Sequence, residues 1–251
     1  MAEKETKDNP KDIIEAISEE KIIEKLEQLD KEEGKEKKTM HAWEPKTNLG
    51  KLVKAGKEKD MDDILLNKKR ILEPEIVDFL LPIESEFIFI GQAKGKFGGG
   101  KRRAWRQTQK KTQEGNILTF STMVAVGDKN SHIGIGYGKA KETLPAREKA
   151  LRHAKLNIIK IQRGFEDPAD AAKDDPHTVP FKVEGKCGGS RIRLIPAPRG
   201  TGLAIADECK KILKLAGIKD VYSRTNRSTR TTFNLAKACI DALGKTTQIE
   251  K

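Results

Sequence analysis

Residues 118–157 read LTFSTMVAVGDKNSHIGIGYGKAKETLPAREKALRHAKLN, and the spacing within them decides the fold class. Leu118, Phe120, Thr122, Val124 and Val126 occupy alternate positions, so they share one face of an extended strand. Gly127, Asp128, Lys129 and Asn130 are turn formers. The chain returns over 132–138 as a second strand, with Ile133, Ile135 and Tyr137 on one side and Gly134, Gly136 and Gly138 on the other. A bare glycine face lets a helix or another backbone approach closely. From residue 141 onward Leu144, Leu151, Ala154 and Ile158 follow helical spacing, with Arg147, Lys149, Arg152 and Lys155 between them. Pro145 suits the first turn of that helix. The unit is a β-hairpin sheet covered by one helix.

Outward from this unit, 87–90 predicts the first strand, and EPEIVDFLLP (73–82) predicts a short helix opened by Pro74. Downstream, 158–162 reads as a strand, and 164–177 is a polar loop with five acids. A second unit follows: strands over 179–184 and 191–195, the turn PAPRGTG (196–202), and a helix from about 204 to 216 stopped by Gly217. A short strand over 221–223 and a last helix over 232–243, ended by Gly244, complete it. The ββαβα order implies an α+β sandwich with helices on one sheet face. Residues 1–42 form a Lys/Glu-rich tail expected to be largely disordered. Its Ile14, Ile17, Ile22, Leu26 and Leu29 recur at helical spacing. Short helical pieces, including 61–66, are expected in the extension 43–83.

The charge is unevenly placed. Residues 1–92 carry 17 basic and 23 acidic side chains, a net of −6, whereas 93–251 carry 33 and 15, a net of +18. Binding a polyanion requires cations concentrated locally, which only the second part offers. The densest stretch, KGKFGGGKRRAWRQTQKK (94–111), holds Lys94, Lys96, Lys101, Arg102, Arg103, Arg106, Lys110 and Lys111 with no acid. Such a run neutralises phosphates, and the interleaved Phe97 and Trp105 offer faces on which an unpaired base stacks. The bland alternatives are a solvated loop without a partner and a localisation signal. Rich in glycine, the arm is expected to be mobile alone and ordered on RNA.

Several function classes are excluded. No uninterrupted apolar run approaches the ~18 residues of a membrane span. Residues 1–12 lack the apolar stretch of a secretion signal. Cys187, Cys209 and Cys239 lie 22 and 30 residues apart with no CxxC, which argues against a disulfide framework and a cysteine zinc site. A cytoplasmic protein with reduced thiols is expected. Residues 95–101 fit GxxxxGK, yet Arg102 stands where a P-loop requires Ser or Thr. The glycines 134, 136 and 138 make GxGxG rather than the dinucleotide GxGxxG. His41, His132, His153 and His177 show no metal-ligand spacing, and no GxSxG appears. No enzyme, cofactor or metal is implied. The turn 196–202 precedes a predicted helix, where free N–H groups and Arg199 make an anion site suited to an RNA phosphate, or else it is a packing turn. Leu203 and Ala204 replace the hydroxyls a kinase-like loop requires.

The stretches 120–164, PHTVPFKVEGKCGGSRIRLIPAPRGTGLA (176–204) and LAGIKDVYSRT (215–225) closely resemble the universal small-subunit ribosomal protein S-five family. PHTVPFKV and RLIPAPRGTGL are similar to its archaeal and eukaryotic branch, S-two in older eukaryotic naming. WEPKTNLGKLVKAGK (43–57) and PEIVDFLLP (74–82) resemble the N-terminal extension of archaeal members.

The resemblance implies a double-stranded-RNA-binding-domain-like sheet plus helix over 84–160, with the basic arm 94–111, and a C-terminal α+β domain over 161–251. It implies a cytoplasmic, structural constituent of the small ribosomal subunit that binds its rRNA near the channel through which mRNA enters. It further implies contact with ribosomal proteins S-four and S-eight, and support of assembly and decoding accuracy. The family's RNA-reaching loop between the first two strands matches 106–116, RQTQKKTQEGN, which puts Arg106, Lys110 and Lys111 on RNA. The other RNA candidates are Lys94, Lys96, Lys101, Arg102, Arg103 and Trp105 of the arm, Lys139 and Lys141, Arg191 and Arg193, and Arg199, Gly200 and Gly202. Residues 91–105 resemble an insertion. Cysteines that some archaeal members carry before PHTVPF are missing from 164–175, so zinc there is not implied. Near 226–229 the usual glycine-containing turn is absent. The alternative is a free-standing double-stranded-RNA-binding regulator, which the first unit alone would serve.

Overall fold

A computed structural model describes residues 43–67, 69–93, 102–166 and 176–247. The tail 1–42, Lys94, Lys96, Lys101 with the GxxxxGK stretch, and most of the acidic loop lie outside the described residues. The described residues from Lys46 onward form one compact unit. Three short helices lead in: α1 (Asn48–Lys54), capped by the Thr47 hydroxyl accepting from the Gly50 N–H, α2 (Met61–Leu66) and α3 (Glu75–Leu80). Then come β1 (Glu84–Ile88), β2 (Trp105–Thr112), β3 (Gly115–Gly127), β4 (His132–Ala140), α4 (Thr143–Leu156) and β5 (Ile158–Lys160). The second part holds β6 (Val183–Cys187), β7 (Ser190–Ile195), β8 (Leu203–Ala204), α5 (Asp207–Leu215), β9 (Val221–Arg227) and α6 (Thr232–Gly244).

The expected α+β class with two sheets holds. In the first sheet β3 pairs antiparallel with β4 along one edge, while β2 and β1 lie end to end along its other edge, and β5 adds to β4. The second sheet runs β6-β7-β9-β8, antiparallel except for the β8–β9 pair.

The glycine face of β4 seats α4. A Cβ on Gly136 would stand 2.0 Å from the Ala150 carbonyl oxygen, and one on Gly138 would stand 2.1 Å from that of Ala146. Ala146, Ala150 and Ala154, all fully buried, are the helix's contact stripe, and the Thr122 hydroxyl donates to the Ala146 carbonyl at 2.9 Å. Leu144, expected in that stripe, is instead 63 % exposed, because only alanines fit so close an approach.

The opposite face of the first sheet shares a core with the second part. Ile88, Met123, Ala125 and Ile133 pack in one cluster with Ile192 and Leu194 of β7, Ile212 and Leu213 of α5, and Ala238 and Leu243 of α6. Polar ties reinforce it: Glu208 Oε2 accepts from the Phe89 N–H at 2.8 Å, and Lys211 Nζ donates to the Phe87 carbonyl at 2.9 Å. Several boundaries differ from expectation, the first strand spanning Glu84–Ile88 rather than 87–90. The strand predicted over 179–184 starts at Val183, after Pro180, which lacks an N–H for a ladder. The final strand extends to Arg227, and the arm's second half is β2.

Candidate nucleic-acid interface

The arm proves to be half hairpin. Residues 106–111, expected to be a mobile loop, pair with β3 in an unbroken register from Trp105↔Thr122 to Thr112↔Gly115. Only Gln113 and Glu114 span the turn, and Gly115 closes it at φ 118°, where a side chain would be strained. The Thr112 hydroxyl donates to the Gly115 carbonyl at 2.8 Å, and the Thr108 and Thr119 hydroxyls meet across the ladder at 2.7 Å.

Beyond the reach of α4 this ribbon is covered on neither side. Residues 106–111 and 115–118 are all exposed. Strand alternation puts Arg106, Thr108 and Lys110 on one face and Gln107, Gln109 and Lys111 on the other. The ribbon therefore carries cations on both faces, and Glu114 at its tip is its one carboxylate. Lys139 joins the first face: the register aligns Arg106, Ser121 and Lys139 as neighbours across β2, β3 and β4.

Other candidates have structural partners. Arg102 Nη1 donates to the Arg230 carbonyl at 3.1 Å and lies 3.5 Å from the Thr232 hydroxyl, tying the base of the hairpin to the start of α6. Exposed Arg103 runs antiparallel to 91–93, its carbonyl accepting from the Gly91 N–H at 2.9 Å. Trp105, expected to stack on a base, is half-buried. The Arg147 guanidinium of α4 lies 5.7 Å from its ring centroid and 5.3 Å from that of Phe87, so the indole already serves a cation–π contact within the fold. Lys141 is exposed just before α4.

In the second sheet Arg193 is paired with Glu184 at 2.8 Å, and this hydrogen bond holds the Glu184 carboxyl below its usual range. Arg191, on the same strand, is half-buried. The turn with Arg199, Gly200 and Gly202 does not lead directly into a helix. β8 intervenes, α5 starts only at Asp207, and its first turn holds Asp207 and Glu208. The Gly202 N–H is already given to Asp220 Oδ1 at 2.7 Å. The expected helix-terminus anion cradle is thus absent at this turn, because a parallel strand uses the residues that would have opened the helix.

One residue that sequence reasoning overlooked is Arg230, brought beside Arg102 and Arg106 by the docking of α6 on the first sheet. No local pattern marks it. Arg227, at the end of β9, takes φ +65°, a left-handed conformation that L residues rarely adopt. Among the described residues no group of three or more His, Cys, Asp or Glu is placed to hold a metal, and no helix is long and apolar enough to cross a membrane.

Comparison with known proteins closes the question of kinship. The family "Ribosomal protein S5, N-terminal domain" matches 104–162, and "Ribosomal protein S5, C-terminal domain" matches 185–251. The small ribosomal subunit protein uS5 of Nanoarchaeum equitans is 48 % identical over 208 residues, which cover 82 % of this chain and 89 % of that protein. The chain belongs to the uS5 family of small-ribosomal-subunit proteins. The uS5 proteins of Thermofilum pendens and Methanocaldococcus jannaschii are each 43 % identical, over 82 % and 80 % of this chain and 95 % and 86 % of their own lengths. uS5 is a ribosomal, non-enzymatic family, in line with the failure of the P-loop and dinucleotide patterns. The match to the uS5 N-terminal domain begins at residue 104, so it takes in the whole β2–β3 ribbon.

Proposed function

We propose that this chain is a structural constituent of the small ribosomal subunit that binds small-subunit rRNA through the β2–β3 ribbon. One observation carries the reading: the outer part of the ribbon, 106–111 with 115–118, is exposed on both faces and bears cations on both. An isolated two-stranded ribbon is marginal in water, so an uncovered one calls for an outside partner. Arg106, Lys110, Lys111 and Lys139 suit phosphates, which supply affinity and register without reading sequence. Arg103, Lys141, Arg191 and Arg199 are secondary contacts in this proposal, as are Lys94, Lys96 and Lys101 outside the described residues. The family resemblance supports the finer reading: 84–160 as the RNA-binding domain, 161–251 as the C-terminal domain, a position near the channel where mRNA enters, and contacts with ribosomal proteins S-four and S-eight that support assembly and decoding accuracy.

The test is sedimentation of tagged protein through sucrose gradients. It should run with the small subunit and leave it only at high salt. Protein that stayed in the light fractions yet bound duplex RNA in isolation would instead fit the free-standing regulator.

A further inference from the structure

The base of the ribbon borders a cleft of about 470 Å³ between the first sheet and the start of α6. Arg102, Arg106 and Arg230 line it, no Asp or Glu among the described residues does, and Tyr137 and Phe233 form its apolar wall. The two rings meet edge to face at 5.2 Å, and Tyr137 keeps 38 % of its surface exposed. Arg102 is committed to the Arg230 carbonyl and so holds the wall in place, while the exposed side chains of Arg106 and Arg230 flank the opening. Ser121 adds a hydroxyl, itself donating to the Arg106 carbonyl at 3.2 Å.

We infer that this cleft takes one unpaired RNA nucleotide, its phosphate between Arg106 and Arg230 and its base against Tyr137. The inference rests on the RNA-binding reading above and adds a site that the ribbon does not require. Size decides between paired and unpaired RNA. A cavity near the lower end of the ~300–1,000 Å³ range of small-ligand sites admits a single splayed nucleotide and excludes a helix. Proteins read unpaired RNA through aromatic stacking combined with cationic contacts to the backbone, and this cleft offers both within one wall. Three guanidiniums without a carboxylate repel one another, and an entering phosphate relieves that repulsion.

The probe is a single-stranded hexanucleotide carrying 4-thiouridine, photocross-linked to the full chain and mapped by mass spectrometry, beside a blunt RNA duplex and inorganic phosphate. Adducts on Tyr137 or Phe233 are expected, with hexamer affinity weakened about tenfold by Arg230→Ala or Tyr137→Leu and duplex affinity kept. Arg230→Ala retains the backbone carbonyl that Arg102 uses, so the wall stays intact. Duplex binding with hexamer adducts confined to the ribbon would overturn the cleft alone, whereas loss of both would overturn the RNA reading itself. Competition by millimolar phosphate as effective as by the hexamer would mean a bare anion site and overturn the nucleotide. Cross-linking within small subunits, with and without bound message, assigns the nucleotide to rRNA or to mRNA, and an adduct with neither overturns the proposal.

Discussion

His132 and Asp62, 70 residues apart in the chain, are joined by a hydrogen bond of 2.9 Å between Nε2 and Oδ1. The other ring nitrogen lies 2.7 Å from Asp128 Oδ2, and Asp62 Oδ2 accepts from Lys160 Nζ at 2.7 Å. His132 and Lys160 are register partners on β4 and β5, so the network clasps α2 to the edge of the first sheet. Burial alone would lower the His132 pKa, but hydrogen bonds to Asp128 and Asp62 and their charges outweigh it and raise it above 6.5. Both carboxyls move the other way. Burial opposes their ionisation, and hydrogen bonds from Lys160 and His132 to Asp62, and from the His132 ring and three backbone N–H groups to Asp128, pull them below 3.8.

The clasp therefore has a pH window. The histidine's contribution is full below 6.5 and fades as pH rises through its raised folded value. The carboxylates' contribution is present above 3.8 and fades as pH falls through their lowered ones. The grip on α2 is expected to be strongest between those two limits. NMR titration should place the His132 midpoint above 6.5 and bring it down in Asp62→Asn. A wild-type midpoint at or below 6.5 would remove the basis for the window.

On the ribbon, Lys110→Ala and Lys111→Ala should each cut the slope of log affinity against log salt by roughly 0.7–0.9. Both side chains are exposed, so thermal unfolding should hardly shift. The whole domain should show a slope of roughly −4 to −7 if six to eight cations meet phosphates. A flat salt dependence would defeat the electrostatic reading.

Trp105→Ala is expected to act on stability. The indole is half-buried under Arg147, so its loss should cost about 1–3 kcal/mol in denaturant unfolding and leave the salt slope unchanged. Unaltered stability with a large fall in RNA affinity would return the ring to a base-stacking role.

Gly136→Ala should cost about 3 kcal/mol or more, since its methyl would stand 2.0 Å from the Ala150 carbonyl oxygen and α4 must lift to admit it. Gly189→Ala, with nothing within 4 Å, is the matched control and should be close to neutral. Equal effects in urea unfolding would refute the close-packing account of the glycine strand.

Arg227→Gly should stabilise the fold by about 0.5–1 kcal/mol, because the left-handed backbone at φ +65° costs an L residue more than glycine loses in chain entropy. Destabilisation would mean that the arginine side chain repays the strain.

Much of this protein is legible in local pattern. Alternation over 118–126 determines the face of β3, and glycines at every second position of β4 determine where α4 lies, because both follow from a period of two within one segment. The concentration of cations beyond residue 93 is equally a property of the sequence alone. Residues 105–112 were not recognisable as a strand, since RQTQKK has no buried face and so shows no hydrophobic alternation. The fates of individual cations were decided only by the tertiary structure. Arg102, Arg106 and Lys110 read alike in one basic run, yet Arg102 is bound to the start of α6 128 residues away, Arg106 borders the cleft and Lys110 faces outward. Charge is a property of a side chain, whereas a partner is a property of the packing that brings distant segments within hydrogen-bond reach.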